Sequence, residues 1–304
     1  MQGPSATWSL ATIKTPSGPV ACIETPAGLY ALEPSLARAG LSGMTTLIGL
    51  FADWPASLAA IEKALPALSA SDIIPPGPRL APLLYPGKIL CAGANYFDHL
   101  AEMGMPGAKK EDQRLFFFMK PPRNAVVGEG ATVRMPIGTK AFDWEVELAA
   151  VIGTTARNVS VEDALSHVAA YTVSIDFSAR DHNRAPETFY KLDWVAGKAN
   201  DTCCPLGPRL VPASAIADPQ NIGLKLSVNG ELKQNGRSTD MIFSIAEQIS
   251  IASRIMTLDP GDVLLTGTPA GVGVPKQTFL AVGDKVDAEI EGIGTLSVVI
   301  QPSA

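Results

Sequence analysis

The sequence predicts an α+β fold in which β-strands predominate, with a small N-terminal α+β domain ahead of a larger, β-rich body. Three observations support this prediction. Short runs of apolar and β-branched residues recur along the chain and are separated by turns that contain Gly and Pro. Apolar residues at helical spacing are confined to a few segments. A proline-rich stretch at residues 74–78, IPPGP in sequence, interrupts both patterns.

The segment before the prolines begins with strands and continues with helix. From residue 42 to residue 70 apolar residues share helical faces, which predicts helix. The prolines that follow predict a linker, and we place the boundary near residue 83. This divides the chain into a small N-terminal domain, residues 1–83, and a catalytic domain, residues 84–304. Strands in the first domain are predicted at residues 8–13, 20–23 and 29–32.

The second domain carries more strand signals than helix signals. A short helix is predicted at residues 96–103 and a longer one at residues 241–257, with Ser238 or Thr239 as the N-cap of the second. The pair Asn229-Gly230 is the strongest two-residue signal for a β-hairpin. Strands are predicted at residues 88–93, 145–153, 170–178, 224–228, 231–233 and 263–266.

Composition excludes several classes of function. A net charge of -6 argues against a general nucleic-acid-binding protein, which normally has a basic face. No apolar run approaches the roughly 20 residues that a membrane-spanning helix needs. The N-terminus lacks the pattern of a signal peptide, and we expect a cytoplasmic protein.

The cysteines fit neither a disulfide framework nor a zinc site, because none lies in a Cys-x-x-Cys pair. This agrees with a reducing compartment. A thiol mechanism at one of the two adjacent cysteines stays open, although no partner base is evident. The cysteines are Cys22, Cys91, Cys203 and Cys204.

Two carboxylates, Glu145 and Glu147, precede an apolar stretch that predicts a buried strand. Side chains two positions apart on a strand point to the same side, so these acids face the same way. Burying two repelling carboxylates is costly unless a cation lies between them, and oxygen ligands suit Mg²⁺, Mn²⁺ or Ca²⁺. The alternative is an edge strand whose glutamates face water.

A third carboxylate, Asp176, ends another predicted strand, and an acid at the end of a buried strand commonly marks a ligand site. Together with Glu145 and Glu147 it would form an open oxygen-ligand site with water in the remaining positions. The alternative for Asp176 is a turn-forming residue before Ser178.

His99 and Glu102 lie three positions apart in the predicted short helix, where side chains can touch. A carboxylate beside an imidazole orients the ring and favours proton uptake, which suits a general base that acts on water. The alternative is an ordinary surface pair.

An anionic substrate needs further positive groups, because three carboxylates and one dication leave a net negative charge. Arg180 and Lys198 are the candidates. Residues 266–273, TGTPAGVG in sequence, have glycines that let the backbone approach a carboxylate, and Thr268 can donate its hydroxyl. The alternative is a tight turn between strands. This segment has neither the ending of a phosphate-binding loop nor the glycine spacing of a dinucleotide-binding loop.

Taken in order along residues 84–300, these elements resemble the fumarylacetoacetate hydrolase family. Each motif is weak by itself, and their shared order carries the resemblance. The motifs are Asn95-Tyr96-x-x-His99-x-x-Glu102, Trp144-Glu145-x-Glu147, Asp176-x-x-x-Arg180-Asp181, Gly197-Lys198, Val228-Asn229-Gly230 with Gln234, Pro260-Gly261-Asp262 and residues 266–273.

The resemblance implies a catalytic domain built as a mixed β-sandwich or roll, usually in a homodimer. It implies that Mg²⁺ or Mn²⁺ binds Glu145, Glu147 and Asp176, with Ca²⁺ as a further fit. It also implies that His99 and Glu102 activate water and are carried on a lid that orders over the substrate.

The resemblance also implies roles for residues that contact the substrate. Lys198 would polarise a substrate oxygen or stabilise a developing carbanion. Asn183 stands where many relatives carry Gln, and this shorter amide points to a different substrate. The residues implied to contact substrate are Tyr96, Arg180, Asn183, Gln234 and Thr268.

These inferences predict a metal-dependent hydrolase that cleaves a carbon–carbon bond of an acylpyruvate-type 2,4-dioxo carboxylate, such as a fumarylpyruvate-like compound. The alternatives use the same metal-enolate chemistry: a 2-hydroxydienoate isomerase or hydratase, or an oxaloacetate-type decarboxylase. A metal- or ligand-binding protein without activity is a third reading, and the positive groups Arg180 and Lys198 argue against it. The predicted partner is a small anionic 2-oxo acid, with neither nucleic acid nor membrane.

Overall fold

The computed structural model describes residues 8–303. In this part of the chain β-strands dominate, as the sequence predicts. The strands are Ser9–Thr15 (β1), Gly18–Thr25 (β2), Gly28–Ala31 (β3), Ile73–Ile74 (β4), Arg79–Leu80 (β5), Ile89–Gly93 (β6), Phe116–Lys120 (β7), Val126–Val127 (β8), Thr132–Arg134 (β9), Phe142–Asp143 (β10), Val146–Ile152 (β11), Val168–Ile175 (β12), Ser178–Ala179 (β13), Cys204–Pro212 (β14), Gly223–Val228 (β15), Glu231–Arg237 (β16), Val263–Leu265 (β17), Lys285–Ile290 (β18) and Gly294–Gln301 (β19).

The helices are short and lie between or beside the strands. The α-helices are Leu32–Ala39 (α1), Trp54–Ala64 (α2), Phe97–Glu102 (α3), Val161–Ala164 (α4), Arg180–Asn183 (α5), Trp194–Lys198 (α6) and Ile245–Ile255 (α7). Short 3-10 turns occupy Ile48–Asp53, Leu65–Ala67, Ala70–Asp72, Lys110–Asp112, Leu165–His167, Ala213–Ala215, Ser238–Asp240 and Val274–Lys276.

The strands form two main sheets and a two-stranded ribbon. The largest sheet has the order β4-β3-β2-β1-β14-β12-β11-β17-β6-β7, with β5 against β1 and β8 against β14. The second sheet has the order β16-β15-β18-β19-β9, and β10 pairs with β13. Most pairings are antiparallel, while β6 and β17 run parallel. The predicted α+β, β-rich fold is confirmed.

Strand β11 is buried on both faces because its side chains alternate between two apolar clusters. Leu148 and Ile152 enter a cluster that lies between the two main sheets. Ala149 and Val151 enter a second cluster, between the largest sheet and helices α1 and α2. Burial on both faces explains the uninterrupted apolar sequence of β11 over residues 148–152 and fixes the residues at its start.

The N-terminal strands belong to the same sheet as β11. β1 pairs with β14 through Leu10 and Leu210. In the linker, Arg79 donates two hydrogen bonds to the carboxylate of Glu24 in β2, at 2.5 and 3.1 Å. The second apolar cluster takes residues from both sides of residue 83, and the predicted domain boundary there stays a prediction.

Helix α7 begins later than the sequence predicts. Ser244 is its N-cap: the Ser244 hydroxyl accepts the N–H of Glu247 at 3.2 Å, and the Glu247 carboxylate accepts the N–H of Ser244 at 2.8 Å. This capping box satisfies the backbone N–H groups that the first turn leaves free. The predicted start near residue 241, with Ser238 or Thr239 as the cap, is therefore wrong.

Two other local predictions have different outcomes. Asn229 and Gly230 have φ angles of 52° and 81°, as the predicted hairpin turn between β15 and β16 requires. Leu32, predicted to end a strand, instead begins α1, and the helical segment at residues 42–70 is a 3-10 turn followed by α2. No helix within residues 8–303 is both long and apolar enough to cross a membrane.

Candidate metal and substrate site

Three carboxylates meet where two neighbouring strands begin and end. β11 and β12 are antiparallel, and Val146 at the start of β11 pairs with Ile175 at the end of β12. Glu145 therefore lies beside Asp176, whose N–H donates to the Glu145 carbonyl at 2.8 Å. Together with Glu147, these acids place one carboxylate oxygen each within 4.8 Å of the others. The acids converge as their spacing predicts, and their role as metal ligands stays a prediction.

The predicted cations lie against these acids. Lys198 Nζ is 2.6 Å from Glu145 Oε2 and 2.8 Å from Asp176 Oδ2. Arg180 Nη2 is 2.6 Å from Glu145 Oε1. Helix α6 presents Lys198, and the carboxylate of Asp193 caps this helix by accepting the N–H of Ala196 at 2.9 Å.

Lys120, the last residue of β7, was missed by the sequence analysis. Its side chain is fully buried, and Nζ lies 2.6 Å from Asp176 Oδ1. The ammonium also donates to the carbonyl oxygens of Phe177 at 2.9 Å and Lys198 at 2.5 Å. A lysine is almost never fully buried without a partner, so its place at the end of an apolar strand was the available signal.

Asp143 was also missed, and it anchors Arg180. Its carboxylate is fully buried and lies 2.9 Å from Arg180 Nε. The backbone N–H groups of Trp144 and Gly273 donate to it at 2.9 and 2.7 Å. Asp143 and Glu145 therefore hold the guanidinium of Arg180 from two sides. The available signal was the position of Asp143, two residues before Glu145 and on the same side of the chain.

With all of its groups ionised, the site carries one more negative charge than positive charge. Burial alone would raise the pKa of Glu145, but the charges of Arg180 and Lys198 outweigh it and hold that pKa well below its usual range. For Glu147, burial and then the charges of Asp176 and Glu145 raise the pKa well above its usual range. The acids are Asp143, Glu145, Glu147 and Asp176, and the cations are Lys120, Arg180 and Lys198.

This donor set fits a hard divalent cation. The three converging groups offer only oxygen atoms, which Mg²⁺ and Mn²⁺ prefer. A bound dication would change the net charge of the site from one excess negative charge to one excess positive charge, which would suit an anionic ligand. The raised pKa of Glu147 marks the position where added positive charge would be most favourable.

His99 and Glu102 form the contact that their spacing predicts. His99 Nδ1 lies 2.8 Å from Glu102 Oε1 within helix α3. The backbone N–H of Gly271 donates to Glu102 Oε2 at 2.9 Å, which fixes the carboxylate from the other side. His99 lines the cavity described below, so Nε2 is the ring nitrogen left for a ligand.

The glycine-containing segment at residues 266–273 binds carboxylates of the protein itself. The sequence predicts that its backbone approaches a carboxylate, and in the structure the N–H groups of three of its glycines donate to site acids. This segment thus supports a predicted metal ligand, the partner of His99 and the anchor of Arg180. The pairs are Gly267 with Glu147 at 2.6 Å, Gly271 with Glu102 at 2.9 Å and Gly273 with Asp143 at 2.7 Å.

Gly271 shows why the segment needs glycine. Its φ is 109°, a conformation that residues with a side chain rarely adopt. A Cβ atom there would lie 2.1 Å from the carbonyl oxygen of Lys233. The close approach of β16 therefore excludes any larger residue.

A cavity of about 270 Å³ opens onto the acids. Its walls include apolar side chains, among them Phe116 and Trp194, and a cation that the sequence analysis missed, Arg184. Arg184 follows Arg180 by four positions in the same segment, and this repeat was the available signal. The predicted site residues that line the cavity are His99, Glu145, Glu147, Arg180, Asn183, Lys198 and Thr268.

Tyr96 and Gln234, both predicted to contact substrate, lie outside the cavity lining and are fully buried. Gln234 Oε1 accepts the N–H of Val146 at 2.9 Å, and Gln234 Nε2 donates to the Thr268 hydroxyl at 2.8 Å. Gln234 therefore holds the start of β11 and Thr268 in place. The substrate contacts of Tyr96 and Gln234 stay predictions.

The adjacent cysteines do not support a thiol mechanism. Burial raises the pKa of Cys203 and of Cys204 to about 12, so both are neutral thiols near neutral pH. Cys204 Sγ lies 3.9 Å from the Ser174 hydroxyl, and Cys203 Sγ lies 3.9 Å from the carbonyl oxygen of Arg134. Neither partner is a base.

The site residues fall within a region that matches a known family. The profile described as fumarylacetoacetate (FAA) hydrolase C-terminal matches residues 88–301, which include the acids, His99 and Lys198. The chain belongs to the fumarylacetoacetate hydrolase family. The resemblance seen in the sequence motifs is therefore confirmed.

Among curated members of the fumarylacetoacetate hydrolase family, several similar proteins are named oxaloacetate tautomerases. The mitochondrial protein of Xenopus laevis is 43% identical over 220 residues, which cover 72% of this chain and 66% of the frog protein. The Bacillus subtilis (strain 168) protein YisK is 44% identical over 223 residues, 71% of each chain. Since animal relatives are named mitochondrial, the cytoplasmic location of this chain stays a prediction.

Solved structures of the family share the fold over most or nearly all of the chain. A fumarylacetoacetate hydrolase from Exiguobacterium antarcticum has a TM-score of 0.78 and 30% identity, covering 97% of this chain and 99% of that one. A 2-hydroxyhepta-2,4-diene-1,7-dioate isomerase from Mycobacterium marinum has a TM-score of 0.69 and 29% identity, covering 97% and 98%. A fumarylpyruvate hydrolase from Pseudomonas aeruginosa, in complex with Mn²⁺ and pyruvate, has a TM-score of 0.64 and 34% identity, covering 71% and 90%.

Proposed function

We propose that this enzyme interconverts the keto and enol forms of a small 2-oxo acid of the oxaloacetate class, with Mg²⁺ or Mn²⁺ bound by Glu145, Glu147 and Asp176. The observation that carries the proposal is the convergence of these buried acids beside one cavity, whose wall includes Glu145, Glu147, two cations and His99. Glu102 contacts His99 from behind this wall. This combination suits removal of a proton beside a carbonyl group. The names of relatives 43% and 44% identical support the choice of reaction.

The metal ligands serve to activate the substrate, and His99 serves to transfer the proton. A bound dication supplies Lewis-acid polarisation of the 2-oxo carboxylate, which makes the hydrogens on the neighbouring carbon more acidic. His99 takes that proton at Nε2 and gives a proton to the enolate oxygen to form the enol, and the reverse transfers regenerate the keto form. Glu102 holds the ring by Nδ1. Lys198 adds positive charge beside the enolate oxygen, and the cavity's apolar wall limits access of water.

The test is a direct measurement of enolisation. Oxaloacetate is dissolved in D₂O with the protein and Mg²⁺ or Mn²⁺, and loss of the C3 hydrogens is followed by NMR above the uncatalysed rate. We expect catalysis that stops when a chelator removes the metal and returns when the metal is restored. Exchange that is no faster than in the protein-free metal solution would reject the proposal.

Hydrolysis of an acylpyruvate, the main prediction from the sequence, is the second candidate. The intact His99–Glu102 pair favours it, because the same base can activate water. The similarity to a fumarylpyruvate hydrolase also supports it. Incubation with an acylpyruvate separates the two: hydrolysis yields pyruvate and a second acid, whereas a tautomerase leaves the carbon skeleton intact.

We also propose that the protein is a homodimer that acts without nucleic acid or membrane. The support is the similarity to the family, in which the predicted assembly is a dimer. Light scattering coupled to size-exclusion chromatography tests this directly. A monomer at micromolar concentration would reject it.

A further inference from the structure

The cavity wall has three cationic side chains, and two of them are already engaged by protein carboxylates. Arg180 and Lys198 both pair with Glu145, at 2.6 Å in each case, and Lys198 also pairs with Asp176 at 2.8 Å. Arg184 is different. Within residues 8–303 its guanidinium forms no ion pair and no side-chain hydrogen bond, although it lines the same cavity.

The surroundings of Arg184 provide no protein acceptor for this charge. Arg184 pairs across a β-bridge with Leu192, and the N–H of Ala185 donates to the carbonyl oxygen of Lys191 at 3.0 Å. The next lining residues along the chain are Leu192 and Trp194, which have no acidic group. The short loop is thus held in shape by its backbone, while the guanidinium keeps five N–H donors without an acceptor.

The acids and Arg184 occupy different depths of the cavity. Glu145 and Glu147 are 5% and 1% exposed, whereas Arg184 is an exposed residue at the cavity mouth. A 2-oxo acid whose carboxylate end lies at the buried acids would direct its other end toward the mouth. A planar guanidinium matches a carboxylate with two parallel hydrogen bonds.

We propose that Arg184 binds the remote carboxylate of the substrate and so selects 2-oxo dicarboxylates over 2-oxo monocarboxylates. The inference rests on the proposed function in one respect, the placement of the 2-oxo carboxylate at the acids. If Arg184 only attracted anions at long range, it would accelerate the binding of monocarboxylates and dicarboxylates alike, and added salt would weaken the effect. Selection of dicarboxylates therefore distinguishes direct binding from electrostatic steering.

The experiment compares two four-carbon acids that differ at the remote end alone. Oxaloacetate ends in a carboxylate and 2-oxobutanoate in a methyl group, and both carry exchangeable C3 hydrogens. Hydrogen exchange at C3 is measured by NMR for wild type, Arg184→Gln and Arg184→Lys, each with Mn²⁺. Arg157→Gln is the matched control, because Arg157 is exposed and does not line this cavity.

We expect Arg184→Gln to lower kcat/KM for oxaloacetate by roughly 10- to 100-fold, the worth of a charged hydrogen-bonded pair, and to leave 2-oxobutanoate within about twofold. Arg184→Lys keeps the charge without the planar fork and should recover part of the loss. Arg157→Gln should change neither substrate. Equal losses on both acids, or no loss on oxaloacetate, would overturn the proposal.

A binding measurement separates this inference from the proposed reaction. Calorimetric titration of the Mn²⁺-loaded protein gives Kd for each acid, and it detects binding whether or not the acid is turned over. If the wild type binds oxaloacetate more tightly and Arg184→Gln removes that preference, the role of Arg184 stands even where no tautomerisation is seen. If both proteins bind the two acids alike, the role of Arg184 is rejected, whatever reaction the enzyme catalyses.

Discussion

Lys120→Met removes the positive charge that faces Asp176 inside the protein. The lysine is fully buried and makes three polar contacts: Asp176 Oδ1 at 2.6 Å and the carbonyl oxygens of Phe177 and Lys198 at 2.9 and 2.5 Å. Removing one partner of a buried ion pair costs about 3–5 kcal/mol. For a chain of 304 residues this corresponds to a fall in Tm of about 5–8 °C, since the entropy of unfolding scales with length.

The same substitution should make the protein's stability depend more strongly on metal. Without Lys120 the site has two uncompensated negative charges instead of one, so a dication is attracted more strongly. A ligand that binds only the folded state at a hundred times its Kd adds about 2.7 kcal/mol, and tighter binding adds more at the same concentration. We therefore expect a larger rise in Tm on adding Mn²⁺ to the variant than to the wild type.

Differential scanning calorimetry of chelated and Mn²⁺-loaded protein measures both effects. Lys285→Met is the control, because Lys285 is 56% exposed and pairs with Asp287 at the surface, where an ion pair contributes about 0–1 kcal/mol. The control should lose little stability and respond to Mn²⁺ as the wild type does. An equal or smaller Mn²⁺ response in Lys120→Met would refute the reasoning from charge balance.

Three further predictions test other parts of the structure. His99→Ala should lower enolisation by roughly 10²- to 10⁴-fold and leave Mn²⁺ affinity unchanged in a titration; retained turnover would reject His99 as the base. Gly271→Ala should destabilise the protein by more than about 2 kcal/mol in urea unfolding, because its Cβ would meet the carbonyl oxygen of Lys233, and a wild-type midpoint would contradict that. Burial alone would raise the pKa of Glu24, but the hydrogen bonds and charge of Arg79, the charge of Arg209 and the Ser9 hydroxyl together hold it below its usual value. The stability margin of wild type over Glu24→Gln should therefore be full above the unfolded-state pKa and vanish as pH falls through the folded-state pKa. A margin that stays constant through this acid range would disprove the assignment.

The acids of the site were predictable because short-range rules position them. Glu145 and Glu147 share a side through the two-residue period of a strand, and Asp176 ends the neighbouring strand. The His99–Glu102 contact follows from helical spacing in the same way. Each of these inferences needs only local geometry, and the antiparallel pairing of β11 with β12 then brings the two acid groups together.

The remaining site residues depend on contacts between distant parts of the chain. Lys120 contacts Asp176 although β11, β17 and β6 separate β7 from β12 in the sheet order, and no local pattern specifies that contact. Asp143 was overlooked because its role depends on Arg180, 37 positions later. The start of α7 was misplaced because several hydroxyl residues could cap it, and Ser244 was selected by its reciprocal bonds with Glu247. Contacts between distant parts of the chain therefore determine the site residues that local sequence patterns do not specify.

The contacts of the loop at residues 266–273 limit which site residues can be substituted independently of one another. The backbone N–H groups of this loop donate to Glu147, Glu102 and Asp143. A shift of the loop would therefore disturb a predicted metal ligand, the partner of His99 and the anchor of Arg180 at the same time. In the part of the chain that the structure describes, Asn183 and Arg184 line the cavity and make no hydrogen bond to this loop, so they can change without disturbing those three acids. Substitutions that adapt the cavity to another ligand are therefore expected at such positions before they are expected in the loop.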